Sequence, residues 1–226
     1  MCFESAYYYI YVKIKATMSF KMNINKNHTP QMRRKDREMP IEFAHEVIDK
    51  AEYGVVSMID GEKPYGVPLS IVRRGDVLYF HSAKQGRKVD VLTHNAHVSI
   101  VFVGDKRIPE NYSHDELEEM NRDAKKAVKL ISSVFTTEFE SAIVTGVVEL
   151  VEDEQEKIGA MRLICEKYTP SKMNYFDTAI GAGLKRTNVY RVGMECVTAK
   201  RKKYDEEGVE MKGGSNALAD IQPFTH

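Results

Sequence analysis

The segment VLYFHSAKQGRKVDVLTHN at residues 77–95 decides how the rest of the sequence is interpreted. Its first residues are apolar, β-branched or aromatic, and they predict a strand that ends in the pair His81 and Ser82. A loop with lysine and glycine follows and leads into a helix predicted over residues 85–93. Because the first turn of a helix presents free N–H groups, this arrangement predicts a site for an anionic group such as phosphate.

Basic residues strengthen this interpretation of the loop. Gly86 permits close approach of the backbone, while Arg87 and Lys88 add full positive charges at the start of the helix. The loop is not a Walker sequence, since its first position is His81 and no serine or threonine follows Lys88. From these residues alone, a phosphate site and a solvated basic surface both stay open.

Composition predicts a soluble globular protein with no strong overall field. Lysine plus arginine and aspartate plus glutamate are balanced at 33 each, so any anion site must be local. Cys2, Cys165 and Cys196 are odd in number and widely spaced, which favours reduced thiols and a cytoplasmic location. No metal site is predicted, because His45 and Glu46 begin like a zinc-protease helix but Asp49 stands where the second histidine is needed.

The chain divides into three predicted regions. Residues 1–31 form an extension whose tyrosine-rich apolar run is too short to span a bilayer and lacks the charge order of a secretory signal. Residues 32–203 form the folded domain. Residues 204–226 are charged and then rich in glycine, and we expect both terminal regions to be loosely ordered.

Alternating apolar residues and turn signals predict six or seven antiparallel strands with three or four helices outside them. The predicted strands cover residues 54–60, 64–73, 77–81, 96–103, 135–151 and 189–199. Tight turns at Asp60-Gly61 and around Gly75 join the first three, which predicts a meander. Because closure removes the edges of such a sheet, the expected fold is mainly β, a small barrel with peripheral helices.

Proline and glycine residues predict local irregularities in two of these strands. Pro64 and Pro68 place the second strand at an edge or a bulge, where it either offers backbone groups to a ligand or is protected against aggregation. Gly146 predicts a bend in the long fifth strand, which could then pair with two neighbours.

The remaining segments predict helices and one irregular region. Ser113 and Glu116 form a capping-box pattern before an apolar stripe that reaches Ile131, and Asp153 caps a helix that ends before Pro170. A further amphipathic helix is predicted over residues 41–52. Residues 171–186 show no clear period and are expected to be irregular.

Five segments, taken in order, resemble the pyridoxamine 5'-phosphate oxidase-related flavoproteins, and in particular the branch that includes the 5-nitroimidazole antibiotic resistance proteins. They are GVVSMID, DGEKPYGVPLSIV, GDVLYFHSAKQGRKVDVL, FESAIVTGVVELVEDEQEK and NVYRVGMECVTAK. The resemblance covers about residues 33–203. It implies a split β-barrel, a homodimer, and FMN bound at the subunit interface.

The same resemblance implies roles for residues of this chain. Backbone groups lining the isoalloxazine would come from Val67, Pro68, Leu69 and Ser70. Groups around the phosphate and ribityl chain would come from His81, Ser82, Lys84, Arg87 and Lys88. The opposite subunit would contribute Phe139, Glu140 and Ser141.

The implied function is that of an FMN-dependent oxidoreductase, with reduction of a nitro group as one reaction. His81 would either handle a proton beside the flavin or only hydrogen-bond the cofactor. A non-catalytic flavin or haem carrier or sensor on the same fold is the alternative. Pyridoxamine phosphate oxidation is the weaker option, because residues 211–226 lack that enzyme's C-terminal arginine and histidine pattern.

Overall fold

The computed structural model describes residues 32–213, so the extension at residues 1–31 and the last part of the tail lie outside the described residues. Its strands are β1 Glu38–Met39, β2 Gly54–Asp60, β3 Lys63–Leu69, β4 Val72–Arg74, β5 Val77–Ala83, β6 His97–Arg107, β7 Glu138–Leu150, β8 Thr187–Gly193 and β9 Cys196–Lys202. Its α-helices are α1 Ile41–Lys50, α2 Arg87–His94, α3 His114–Arg122, α4 Glu154–Tyr168 and α5 Phe176–Gly183.

The strands form one antiparallel sheet with the order β3-β2-β6-β7-β8-β5-β4, while β9 pairs with β7 and β1 pairs with β9. The predicted fold class, mainly β with peripheral helices, is therefore confirmed. The strand count is nine rather than six or seven within the described residues. Two predicted strands are each divided, since residues 64–73 give β3 and β4, and residues 189–199 give β8 and β9.

The predicted meander is wrong, although two of its turns are correct. β2 pairs with β3, and β4 pairs with β5, each across a tight turn whose glycine has a positive φ, 62° at Gly61 and 60° at Gly75. β3 and β4, however, lie at opposite ends of the strand order. Ser70 and Ile71, here called the crossing segment, carry the chain between those two ends, so the sheet curls until its ends approach.

The long strand β7 joins the two parts of the sheet. Residues 139–145 pair with β9, whereas residues 148–150 pair with β8. The change of partner occurs at Gly146, where a Cβ atom would lie 2.1 Å from the carbonyl oxygen of Gly193. This arrangement confirms the predicted bend and shows that a side chain has no room at that position.

Two apolar clusters cover the two faces of the sheet. The larger cluster fills the barrel and includes Phe80 and Ile100 from strands together with Val47 of α1. The smaller cluster packs α4 against β4, β5 and β8, with Tyr79 and Ile164 among its members. Side chains alternate along β5, so Leu78 and Phe80 face the barrel while Tyr79 faces α4.

The helices agree with the sequence predictions at their starts more often than at their ends. Ser113 and Glu116 form the predicted capping box at the start of α3. At the start of α4, the Asp153 side chain accepts a hydrogen bond from the Glu156 N–H. α3 nevertheless ends at Arg122, and Ile131 of the predicted stripe is 78% exposed. Residues 171–186 contain α5 and two short 3-10 turns, so the irregular interpretation is wrong there.

Candidate functional site

The end of β5 and the start of α2 form the first part of the site. Gly86 precedes α2 with φ 123°, a left-handed conformation that favours glycine, and nothing lies within 4 Å of the position of an added Cβ. Glycine is therefore required by the turn into the helix rather than by crowding. The helix that follows has no side-chain cap at its start, so its first turn keeps N–H groups that no residue within the helix can accept.

His81 is the central side chain of this part. It lies in β5 opposite Val189 and is half-buried, and by strand alternation it lies on the same face of β5 as Tyr79. Its Nδ1 atom is buried and has no hydrogen-bond partner among residues 32–213. Burial and the nearby Lys88 ammonium both lower the pKa of His81, so the neutral imidazole is favoured.

Lys88 adds a second basic group beside His81. Burial lowers the pKa of Lys88, and no acidic partner pairs with its ammonium in the described part of the chain. Two basic side chains thus approach each other without a compensating carboxylate. An anion bound there would pair with the Lys88 ammonium and accept hydrogen bonds from donors at the helix start.

Arg87 has a different environment from its neighbour. Its Nε donates to Asp60 Oδ2 at 2.8 Å, and its guanidinium carbon lies 4.2 Å from the centre of the Tyr65 ring. These contacts tie the start of α2 to the β2–β3 hairpin. The Arg87 guanidinium is consequently already occupied, which the sequence pattern did not indicate.

The other predicted residues of this loop differ in exposure. Lys84 is exposed. Ser82 is buried, and its hydroxyl donates to the carbonyl oxygen of Ala83 at 2.6 Å. Ser82 therefore contributes to the end of the strand, whereas Lys84 is available to a ligand in solvent.

The end of β3 forms the second part of the site. Among the described strands β3 pairs only with β2, so it is the edge strand that its two prolines predict. Val67 and Leu69 pack against the barrel cluster, whereas Pro68 is exposed. The outward side of this strand end offers backbone groups that β2 does not use.

Strand register brings these two parts to one end of the molecule. Val72 of β4 pairs with Tyr79 of β5. Ser70 precedes Val72 by two residues and His81 follows Tyr79 by two, so in an antiparallel pair both lie beyond the same end of the ladder. Ser70 and His81 are thus brought to the same end of this strand pair in one protomer.

Two residues of α4 hold the crossing segment and were missed by the sequence analysis. The Ile71 N–H donates to the Tyr168 hydroxyl at 3.0 Å, and that hydroxyl donates to the Ile71 carbonyl at 2.9 Å. Lys167 Nζ donates to the carbonyl oxygens of Ile71 at 3.3 Å and of Ile48 at 3.2 Å. No local sequence pattern indicates these contacts, because Tyr168 and Ile71 are 97 residues apart in the chain.

Phe139, Glu140 and Ser141 do not join the site within one protomer. They lie at the start of β7, and the register places Leu69, Gly54, Phe102 and Ala142 in one row across the sheet. The three steps between β3 and β7 correspond to about 14 Å. In one protomer these residues are therefore separated from the end of β3 by two intervening strands.

The three residues also divide between the two faces of the sheet. Ser141 pairs with Val103, which is 52% exposed, and the neighbouring Ile143 is 41% exposed. Glu140 instead forms an ion pair with Lys50 of α1, which also binds Asp105 at 3.0 Å. The Glu140 carboxylate is consequently neutralised within its own chain, whereas Phe139 and Ser141 lie on the face that is open in one protomer.

Clusters of metal-ligand side chains and membrane-spanning helices are both absent from the described residues. No group of three or more histidine, cysteine, aspartate or glutamate side chains within residues 32–213 could hold a metal ion. In the same range, every helix is too short or too polar to cross a bilayer.

Comparison with solved structures supports this architecture. A candidate 5-nitroimidazole antibiotic resistance protein from Bacteroides thetaiotaomicron is 27% identical with a TM-score of 0.54, covering 72% of this chain and 84% of that chain. The flavocytochrome Anf3 from Azotobacter vinelandii has a TM-score of 0.60 at 15% identity, covering 89% and 88%. The FAD and haem binding protein from Mycobacterium smegmatis has a TM-score of 0.56 at 14% identity, covering 84% and 93%.

The last two similarities show a shared fold alone. Comparison with curated proteins gives no match. The family model described as pyridoxamine 5'-phosphate oxidase matches residues 41–201, which includes β2 to β8 and most of β9. The chain therefore belongs to the pyridoxamine 5'-phosphate oxidase family, whose split-barrel fold it has.

Proposed function

We propose that this protein is an FMN-dependent oxidoreductase that acts as a homodimer. The observation that carries the proposal is the basic pair of His81 in β5 and Lys88 at the start of α2, which has no acidic partner in the described residues and lies next to the free edge of β3. A phosphate suits the basic pair, and a flat ring system suits the edge of a strand. A molecule with both groups, such as FMN, would use both parts of the site.

The chain offers specific groups to each part of FMN. Lys88 and the first N–H groups of α2 would hold the phosphate, and Arg87 would join them after exchanging Asp60 for a phosphate oxygen. Backbone groups of residues 67–70 would orient the isoalloxazine ring. Bound FMN supplies the hydride and electron transfer, and the protein supplies orientation and electrostatics.

His81 has a role that fits its neutral state. A neutral imidazole has one nitrogen that donates and one that accepts, so His81 can hold a cofactor or substrate group through either nitrogen. With Nδ1 unpartnered among the described residues, a hydrogen bond from His81 to a bound group satisfies a buried atom. A nitroaromatic acceptor such as a 5-nitroimidazole is the proposed substrate class, in line with the 27% identical structure.

The homodimer completes the proposed site. Val103 and Ile143 form an exposed apolar surface beside Ser141, and a second copy would bury it. The same contact would bring the partner copy of the Phe139 and Ser141 segment toward β3. Glu140, held by Lys50, would support β7 rather than contact the cofactor.

The test begins with an absorbance spectrum of the purified full-length protein after incubation with FMN and removal of excess. We expect a flavin spectrum that bleaches with NADH, NADPH or dithionite under anaerobic conditions and returns on addition of a 5-nitroimidazole. A colourless protein that takes up no FMN overturns the proposal. Bound flavin without turnover of nitroimidazole, quinone or pyridoxamine phosphate would identify a flavin carrier or sensor instead of an enzyme. Haem absorbance in place of flavin absorbance would identify haem as the cofactor.

A further inference from the structure

The crossing segment is held by side chains rather than by the sheet. Ile71 is fully buried, yet both of its backbone polar groups bond to one hydroxyl, that of Tyr168. A β-ladder would normally satisfy such groups, and here the β4–β5 ladder ends at Val72. The Tyr168 hydroxyl therefore replaces a strand neighbour at this point of the chain.

This contact determines the direction of two peptide planes. The Ile71 N–H shares a plane with the Ser70 carbonyl, and the Ile71 carbonyl shares one with the Val72 N–H. All peptide bonds in residues 32–213 are trans, so the two groups of each plane point in opposite directions. With the Ile71 N–H bound to Tyr168, the Ser70 carbonyl must point away from α4.

Lys167 supports the same segment from the adjacent position of α4. Its ammonium bridges the carbonyl oxygens of Ile71 and Ile48, and Ile48 lies in the last turn of α1. Its Nζ also lies 5.2 Å from the centre of the Tyr168 ring. The end of α4 is thus linked at once to the crossing segment and to α1.

We infer that Tyr168, assisted by Lys167, is a positioning residue that sets how the end of β3 meets the isoalloxazine ring. The inference rests on the proposed function, because Ser70 is the last of the residues proposed to line the ring. Tyr168 acts through the backbone of Ser70 and Ile71 rather than through contact with the flavin. Its removal changes the electrostatic surroundings of the ring without removing a cofactor ligand.

The test compares Tyr168→Phe with a matched control, Tyr79→Phe. Both tyrosines link the sheet to α4 by a partly buried hydroxyl, since the Tyr79 hydroxyl donates to Glu156 Oε1 at 3.0 Å, but only Tyr168 contacts the crossing segment. Each variant is titrated with FMN, and at saturating FMN its visible circular dichroism and flavin midpoint potential are measured. These spectral and redox readouts report the surroundings of the ring, and a general loss of stability does not move them.

We expect Tyr168→Phe to weaken FMN binding roughly tenfold and to shift both the visible circular dichroism and the midpoint potential. Tyr79→Phe should leave the spectrum and the potential unchanged. An unaltered flavin in Tyr168→Phe overturns the inference, and so does an equal shift in Tyr79→Phe. If Tyr168→Phe does not fold, Lys167→Met serves the same comparison, with a smaller shift in the same direction expected and an unchanged flavin again contradicting the inference.

The wild-type titration separates this inference from the proposed function. If the wild-type protein takes up no FMN, the proposed function fails, and the inference fails with it. If the wild-type protein binds FMN and the Tyr168→Phe flavin is unaltered, the inference alone fails.

Discussion

Lys88 and Arg87 are adjacent in sequence but differ in what they contact. Arg87 is paired with Asp60 and packs on Tyr65, whereas Lys88 is half-buried and has no acidic partner in the described structure. A partly buried ammonium without a partner costs folding free energy and is stabilised only when an anion binds. The two basic residues should therefore respond differently to substitution.

We predict that Lys88→Met weakens FMN binding by about ten- to a hundredfold, the usual effect of losing a charge-assisted hydrogen bond, while raising the stability of the flavin-free protein. Arg87→Ala should weaken binding and also lower stability, because it removes the contact with the hairpin. The double variant Arg87→Ala with Lys88→Ala should retain little FMN. Equilibrium titration and urea unfolding measure both quantities, with the exposed Lys125→Ala as control; unchanged occupancy in the double variant would contradict the site.

His81 and His45 predict a pH dependence of stability. Burial, and then a nearby cation, lower the pKa of both imidazoles, with Lys88 acting on His81 and Arg73 on His45. In the unfolded chain a histidine takes up a proton near pH about 6.5, whereas the folded protein resists protonation until the pH is lower. The unfolded state thus binds more protons in this window, and the free energy of unfolding falls as the pH falls.

Urea unfolding of the flavin-free protein at about pH 7.5 and about pH 5.5 measures this effect. We expect lower stability at the lower pH, and a smaller decrease in His81→Gln and in His45→Gln than in the wild-type protein. Equal decreases in all three proteins would show that neither imidazole is responsible.

At the scale of elements, Gly146 determines whether β7 can change partners. An added Cβ would lie 2.1 Å from the Gly193 carbonyl oxygen and 3.0 Å from Val192 Cγ1. We predict that Gly146→Ala destabilises the protein by about 3 kcal/mol, because the backbones of β7 and β8 must separate. Thermal or urea unfolding tests this.

The control for this substitution is Gly159→Ala in α4, where the nearest atom outside the helix's own backbone would be Arg74 Nη1, at 3.7 Å from the new Cβ. Alanine in the interior of a helix should stabilise it by about 0.5–1 kcal/mol. The same chemical change is therefore expected to have opposite signs at the two positions. A mild effect at Gly146 would mean that the strands can separate at little cost.

The sequence predicted elements whose signals are local. The β2 boundaries, the Ser113 capping box and the Gly146 bend all depend on nearby residues, and the structure confirms them. The break between β8 and β9 at Met194 and Glu195 was not predicted, because the strand-like sequence pattern continues through it. In the structure the N–H groups of these two residues donate to the carbonyl oxygens of Asp76 and Thr145. Which strands pair, by contrast, depends on long-range contacts, so the place of β3 and β4 could not be deduced from their adjacency.

The candidate site shows the same limit. The helix start after His81 was predictable, because glycine and basic residues mark it directly in the sequence. The Arg87–Asp60 pair and the Tyr168–Ile71 contact join residues that only the tertiary fold brings together. The proposed ligand roles at residues 67–70, 81–88 and 139–141 stay predictions.

For the whole molecule, the exposed surface around Val103 and Ile143 predicts the oligomeric state. We expect the protein to be a dimer, and Val103→Glu to make it largely monomeric and to reduce FMN binding, because a buried, unpaired carboxylate opposes association. Analytical ultracentrifugation and FMN titration measure the two effects. Val128→Glu is the matched control, since Val128 is 68% exposed on the segment that follows α3; an unaltered Val103→Glu dimer would place the interface elsewhere.

The position of β7 also has a consequence for synthesis on the ribosome. The hairpins β2–β3 and β4–β5 are synthesised early, but one edge of β6 has no partner until β7 has been synthesised. One edge of β5 likewise has no partner until β8, which begins at Thr187, has been synthesised. Two partly built half-sheets with unpaired edges therefore exist until most of the chain has been translated. Premature chain termination before β8 would leave a nascent product with open edges, a substrate for chaperones rather than a smaller folded domain.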